Sequence, residues 1–575
     1  MQDIKDQLKK VIYHLYNLDF DPEIAPSPEN IDADYSSNAP LKLAKELRES
    51  PMQIADELAK TLQDITPSVS APGFLNFVLS DNYLRDKISS LDTGFDKFIS
   101  SDTFSGKTVI CEFSDPNPFK ILHVGHLYTS IVGDSIARLF EYAGAKVIRA
   151  NFGGDVGLHV AKTMYALKQK DPQDLSIEDI AKCYIEGTAA YEDDASAKSK
   201  ITELNKEIYK INSENLHDSA LAELYWRGRE LSYDYFNDFY NSIGVKFDKY
   251  YPESTVANLG LEKVKAELEK GIYEISNGAV IFNGEKYGLH TRVFINQEGV
   301  PTYETKDVGL IFQKYADYHF DKSVVITGSE QLEYMKVVLK SIEQYAPELV
   351  EKTSHLTHGI VKLPGNVKMS SRKGNFLKAV DVLNMVKNEL KSAYDSSDEK
   401  VSLAATKYAF LRYKMGGDII FDPKESVKMT GNSGPYLLYS AVRAKKILKN
   451  ASGGDFENKI RESIRDNGSE LRSEPHNDGR EQVGERELVS KSPEHNLMKK
   501  LLEYKTELES SATEMSPHKV ANFLYELAQS FSRFYENCPV VGCENESERL
   551  KLVKVYLKIM THGLNILGIE IPEEM

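Results

Sequence analysis

An α/β class is predicted, built on a doubly wound parallel sheet with an insertion, an α+β unit ahead of it and an all-helical bundle behind. Three observations predict it. Residues 108–111, Thr-Val-Ile-Cys, form a short apolar run such as a buried parallel strand needs. Leu127, Ile131, Ala137 and Leu139 then lie largely along one side of an amphipathic helix, and residues 145–150 read as a second strand, completing a Rossmann-like βαβ unit. Beyond about residue 400, helical spacing takes over. At 575 residues the chain exceeds what one core supports, so roughly three or four domains are expected.

Residues 1–100 read as the separable α+β unit. Leu8, Val11, Ile12 and Leu15 have helical spacing, Leu41, Leu43 and Leu47 suggest a helix behind Pro40, and a strand pair follows near residues 72–79, Pro-Gly-Phe-Leu-Asn-Phe-Val-Leu. Only an exposed Asn76 or Phe74 would turn that strand from ordinary half-buried structure into a contact surface.

The chain from 101 to 400 is organised around residues 112–126, Glu-Phe-Ser-Asp-Pro-Asn-Pro-Phe-Lys-Ile-Leu-His-Val-Gly-His. Strand exit, loop and helix entry follow one another there, and a helix N-terminus offers amide N–H groups to an anion. Gly125 allows phosphate oxygens close to the backbone, while His123 and His126, three apart, point donors at charge growing on an α-phosphate. Lys120 stands upstream. The competing reading is a pair of core histidines or a chance metal pair. Residues 151–157, Asn-Phe-Gly-Gly-Asp-Val-Gly, make a second strand-end loop beside the first, with Asp155 alternatively capping the next helix.

An insertion is expected from about 160 to 298. It begins helical and charged, with Trp226, Tyr233, Phe236 and Tyr240 as a packed stripe, and ends strand-like, with Asn283-Gly284 as a hairpin dipeptide after residues 279–282. The second half resumes at Gly299. On a helix Tyr303 and Asp307, four apart, face the same way and bracket a planar cation, for which guanidinium is the natural guest because a carboxylate accepts two parallel N–H bonds from it. An exposed helix pair with no role is the alternative. Residues 401–575 are helical apart from a polar stretch at 450–496, too poor in apolar residues to bury, which reads as a disordered or loosely helical insertion.

Composition adds limits. Lys+Arg number 71 against 87 Asp+Glu, a net charge of −16 that does not advertise a nucleic-acid binder, although a local basic track and recognition of shape remain open to an acidic protein. No apolar run reaches bilayer length and the first residues lack a secretory h-region, so no membrane role and a cytoplasmic location are expected. The cysteines at 111, 183, 538 and 543 form no C-x-x-C pair, which argues against a disulfide framework and a structural zinc site.

Pro116 to His126, Pro-Asn-x-x-Lys-x-x-His-Val-Gly-His, resembles the HIGH signature of class I aminoacyl-tRNA synthetases in its arginyl form. Residues 368–374, Lys-Met-Ser-Ser-Arg-Lys-Gly, resemble the KMSKS loop that closes over ATP phosphates, departing from it at Ser371 where the general pattern has a second Lys. Thr302-Tyr303-x-x-Lys306-Asp307 matches the arginyl pattern for holding the substrate side chain. Residues 151–157 resemble its Asn-x-x-Gly-Asp-x-Gly, although His159-Val160-Ala161 stands where many members have Gln-Phe-Gly.

The resemblance implies ATP-dependent formation of arginyl-adenylate and transfer to the 3′-terminal ribose of tRNA(Arg), first at the 2′-OH, with tRNA needed for efficient activation. Implied catalytic groups are His123, His126, Lys120, Lys368, Arg372 and Lys373. ATP would lie against Gly125, His126, Gly359, Val361, Met369 and Ser370. Arginine would be held by Glu112, Ser114, Asn117, Asp155, Tyr303, Asp307 and Gln331. The N-terminal unit would touch the tRNA elbow through Asn76, and residues 401–575 would be an anticodon-binding bundle using Tyr436, Tyr535 and Met575. Mg²⁺ would arrive with ATP as a substrate complex, with no tightly bound protein metal, and a monomer is expected. The rivals are a class I synthetase for another amino acid and a tRNA-binding factor that has lost catalysis, at which Ser371 hints.

Overall fold

Val109, Ile110 and Cys111 lose all solvent exposure because they form the centre of a five-stranded parallel sheet. In this computed structural model, which describes residues 2–28, 31–62, 65, 67–170, 174–365, 377–451 and 491–575, the strands are β1 (Thr108–Glu112), β2 (Lys146–Gly153), β3 (Lys249–Pro252), β4 (Lys322–Gly328) and β5 (Thr353–His358). Their spatial order is β5-β4-β1-β2-β3. The order reverses between β1 and β4, where Glu112 pairs with Val325, so a crevice opens beyond the carboxyl ends of those two strands. The Val124–Tyr142 helix crosses from β1 to β2. It lies so close to the loop after β1 that a Cβ on Gly133 would sit 2.1 Å from the Phe113 ring.

The insertion differs from the expected single block of 160–298. The Leu158–Lys170, Ile177–Asp193, Ala195–Ser213 and Ala220–Ser242 helices do leave the sheet, but Lys249–Pro252 returns to it as edge strand β3. The Glu253–Glu269 helix then packs against the Tyr303–Tyr318 helix, where a Cβ on Gly260 would meet the Thr305 carbonyl at 2.0 Å. Four residues rich in Tyr are too few to show a strand period. A second excursion follows as an antiparallel sheet of Glu274–Ser276, Ala279–Phe282 and Arg292–Ile295. Its tight hairpin turns at Asn277-Gly278, both at positive φ, as a type I′ turn requires. Asn283-Gly284 instead leads into a 3₁₀ turn.

The N-terminal unit holds a four-stranded antiparallel sheet rather than a strand pair: Ala25–Pro26, Tyr35–Ser37, Phe74–Phe77 and Ser68–Ser70 in spatial order. Asn76 lies on an inner strand, only 3% exposed, and its amide is taken by Ser36 and Ser70 at 2.8 Å each. It fails the exposure that RNA contact required. Phe74 is half-buried.

Helices continue from Ala379 onward, ahead of the expected boundary at 401. The bundle is built mainly from Gly434–Ala451, Pro493–Thr513, Pro517–Asn537 and Glu546–Ile566, so helix already occupies both edges of the segment read as disordered. The middle of that segment lies outside the described residues. Among the described residues no helix is long and apolar enough to cross a membrane.

Candidate active site

Past β1 the backbone takes positive φ at three residues that are not glycine, Ser114 (75°), Asp115 (50°) and Phe119 (66°). Such conformations persist only where neighbours over-determine them. Here Ser114 Oγ lies 2.9 Å from the Tyr240 hydroxyl, and the Phe119 N–H donates to Ser232 Oγ at 3.0 Å. Asp115 and Asn117 accept the N–H groups of Phe152 and Gly154, each at 2.8 Å, tying this loop to the end of β2.

The loop delivers His123 as the N-cap of the Val124–Tyr142 helix. Gly125 N–H donates to His123 Nδ1 and His123 N–H donates to His126 Nδ1, both at 3.1 Å, a reciprocal capping box made of imidazoles. Each Nδ1 is thereby an acceptor, so the neutral ring carries its proton on Nε2. The rings stack with centroids 3.9 Å apart. Burial pushes the His123 pKa down to about 4 and that of His126 well below its ordinary value, so both stay neutral donors. Lys120 is lowered to about 8 by the same cause and lies 5.1 Å from the Tyr184 ring. Leu377 and Ala379 bond back to Val124 and Leu122, at 2.9 and 3.0 Å. Lys368, Met369, Ser370, Ser371, Arg372, Lys373 and Gly374 lie outside the described residues.

The opposite bank is the Tyr303–Tyr318 helix. Tyr303 opens it, 51% exposed, and Asp307 follows one turn later, 8% exposed and hydrogen-bonded by the Tyr334 hydroxyl. Burial, against the pull of Tyr334 and with help from Glu112, Glu253 and Glu304, lifts the Asp307 carboxyl to about 8. Asp115 is raised well above its usual range by burial and by Glu112. Glu253 joins the two banks: a Cβ on Gly154 would meet Asn117 Oδ1 at 2.5 Å and Glu253 Oε1 at 2.9 Å, while Glu253 also pairs with Lys306 of the Tyr303–Tyr318 helix.

The other acids nearby have cations of their own. Lys314 Nζ lies 2.6 Å from Glu112 and Lys306 Nζ 2.5 Å from Glu253, all four buried. Glu112 therefore sits where expected, at the crevice, but with one oxygen committed to Lys314. Asp155 requires correction. It is 0% exposed, and its oxygens are consumed by Arg229 Nε at 2.9 Å, Ser254 N–H at 3.0 Å and Ser254 Oγ at 2.8 Å, so no arginine subsite reaches it. It caps a helix, but the one starting at Glu253 instead of the next in sequence.

Gln331 is exposed on the 3₁₀ turn after β4. Gly359 follows β5, where a Cβ would meet the Gly417 carbonyl at 2.2 Å, and buried Val361 pairs with Ile419. In the bundle, Tyr436, Tyr535 and Met575 are half-buried. The Tyr436 hydroxyl lies 3.3 Å from Ser532 Oγ, and Tyr535 faces the Arg443 guanidinium at 5.3 Å. Sequence reasoning missed exposed Tyr439, whose ring lies 4.7 Å from that guanidinium; its i, i+4 spacing to Arg443 was a usable signal. Asp115, Lys314 and Tyr334 were also missed, and no local spacing marks them.

Three family models match the chain: tRNA synthetases class I (R), catalytic domain, over residues 95–413; DALR anticodon binding domain over 437–575; and Arginyl tRNA synthetase N terminal domain over 2–79. Similar proteins include the arginine--tRNA ligases of Clostridium perfringens (29% identical, covering 100% of this chain and 99% of the relative) and Treponema denticola (27%, 100% of both). Among solved structures, Thermus thermophilus arginyl-tRNA synthetase superposes with a TM-score of 0.76 at 21% identity over 100% of both chains, and the Plasmodium falciparum enzyme with 0.72 at 21% identity over 100% of this chain and 99% of that one.

Proposed function

This chain belongs to the class I arginyl-tRNA synthetases, and on that premise we propose how its crevice divides the work of joining arginine to tRNA. The reaction is ATP-dependent attachment of L-arginine to tRNA(Arg). An arginine carboxylate oxygen bonds to the α-phosphorus of ATP as the bond to pyrophosphate breaks. A hydroxyl of the terminal ribose then takes the acyl group and AMP leaves. Neither step needs a protein nucleophile, so positioning and charge stabilisation supply the rate.

His123 and His126 face the phosphates with Nε2–H donors. Because both rings are neutral, they offer hydrogen bonds without releasing a proton to the leaving group. Lys120 adds positive charge. Mg²⁺ enters as part of the ATP substrate. Asp307 and Tyr303 hold the guanidinium, whose planar fork matches a carboxylate as a lysine ammonium does not. Ser114, Asn117 and Gln331 line the amino-acid end. In the bundle, Tyr535, Tyr436 and Tyr439 are the bases' stacking partners.

The observation that carries this reading is Asp307: a buried acid with no protein cation of its own among the described residues, opposite a helix N-terminus capped by two neutral imidazoles. The test is arginine- and tRNA-dependent ATP–pyrophosphate exchange. Asp307→Asn is expected to lower kcat/KM for arginine about a hundredfold while leaving the KM for ATP in place. Unchanged arginine kinetics would remove the specificity assignment, and full tRNA binding without exchange by the parent protein would remove the activity.

A further inference from the structure

We propose that Tyr334 is a positioning residue of the arginine subsite, holding one oxygen of Asp307 so that the guanidinium meets the carboxylate in a single orientation; this rests on the assignment of Asp307 to that guanidinium. Tyr334 stands in the first turn of the Leu332–Glu343 helix, just past the end of β4, and its hydroxyl donates to Asp307 Oδ2. Its ring is held by Arg292, whose guanidinium carbon lies 5.4 Å from the ring centre. Arg292 in turn reaches Glu304 at 3.3 Å, on the same helix as Asp307. Two elements besides its own helix thus bear on this carboxylate, Tyr334 directly and Arg292 through the Tyr334 ring, although neither residue belongs to a sequence motif.

The charges around Asp307 explain why a donor is needed there. Glu304 has Arg292, Glu253 has Lys306 and Glu112 has Lys314, whereas Asp307 and Asp115 have no cation partner among the described residues. A carboxyl placed among acids and away from water turns to whatever donor it finds, or keeps its proton. The Tyr334 hydroxyl supplies a donor that carries no charge, so it fixes the acid without satisfying it. Oδ1 and the second lone pair of Oδ2 are left for the two N–H bonds of the substrate, and the remaining electrostatic demand is for a cation. With the Asp307 carboxyl lifted to about 8, arginine binding at neutral pH displaces a proton from it. The apparent affinity for arginine should therefore fall as pH drops below about 8. Loss of the hydroxyl should move that fall to higher pH, because the acid would hold its proton more tightly.

Tyr334→Phe keeps the ring and its contact with Arg292. Steady-state exchange kinetics from about pH 6 to about pH 9, with tRNA present and Asp307→Asn as a control, decide the matter. The expected result is a KM for arginine raised about tenfold, kcat and the KM for ATP nearly unchanged, and the acid limb of kcat/KM for arginine displaced upward in pH. An unchanged KM and limb in Tyr334→Phe, where Asp307→Asn does lose arginine use, would overturn the role of Tyr334 and leave Asp307 in place. Unchanged arginine use in Asp307→Asn would overturn both. A fall in Tm together with kcat, with the limb unmoved, would assign Tyr334 to structure alone and overturn the proposal.

Discussion

Asp34 and Asp307 are both carboxylates shut away from solvent, 1% and 8% exposed, yet their proton affinities run in opposite directions. Burial opposes the charge of each. At Asp34 that cost is outweighed: His495 Nε2 at 3.1 Å, Lys491 Nζ at 2.7 Å and the Leu79 N–H at 2.7 Å hold the carboxyl well below its usual range. At Asp307 only a phenol donates, other acids crowd in, and the carboxyl rises to about 8. Asp34 sits where the N-terminal unit meets the Pro493–Thr513 helix, and Asp307 sits in the crevice. The difference is the supply of cations. Under the proposed function, the acid that the chain furnishes with cations builds structure, and Asp307, left short of them, is the place for the substrate's charge. The paired acids of the crevice, Glu112 and Glu253, fall on the structural side of that line.

The largest effect expected from this contrast is at the interface. Asp34→Ala would leave Lys491, His495 and Lys499 facing one another and strand the Leu79 N–H, a loss of about 3 kcal/mol in a urea titration near neutral pH. A midpoint equal to the parent's would show that pairing there is idle. Asp307→Asn should act with the opposite sign. Its folded carboxyl holds a proton more tightly than an unfolded one near 3.9, so this group costs the parent stability progressively as pH rises from about 4 to about 8. The variant should lose that slope and, at about pH 8, be more stable than the parent by about 1–2 kcal/mol. Arginine at a concentration that saturates the parent should raise the parent's Tm and shift that of the variant much less.

How much of this could be read from residues alone follows from the range of each interaction. The His123 turn was legible because its chemistry is local: the two imidazoles, the glycine and the helix they cap lie within four residues, and the capping bonds run between them. The placement of Tyr303 and Asp307 one turn apart on a single helix was legible for the same reason. Asp155 was misread because its partners, Arg229 and Ser254, are brought to it by helices and a strand far along the chain. Tyr334 and Lys314 stayed invisible on the same grounds, and Asn76 became structural only once Ser36 and Ser70 flanked it in a sheet. The edge strand at Lys249–Pro252 was hidden by brevity, which let a run of helices be read as one block with the small sheet after it.

The smallest effect separates the two regions by slope. Burial lowers the proton affinity of His495 and Lys491 opposes its charge, but the carboxylates of Asp34 and of Asp81, at 2.7 Å, win and raise its pKa above the ordinary value. A histidine with a raised folded pKa contributes stability that is complete below its unfolded pKa, near 6.5, and is lost as pH climbs through the folded value. The parent should therefore weaken on the alkaline side of neutrality. His495→Gln keeps a donor but never a charge, so it should lack that decline and fall short of the parent at about pH 6 by about 1 kcal/mol. Asp307 also makes the parent weaken with rising pH, so one curve mixes both groups. Arginine resolves them: when it fills the crevice it should flatten the part due to Asp307 and leave the part due to His495, and a ligand that flattened both would mean that the two carboxylates are not the independent opposites their pairing implies.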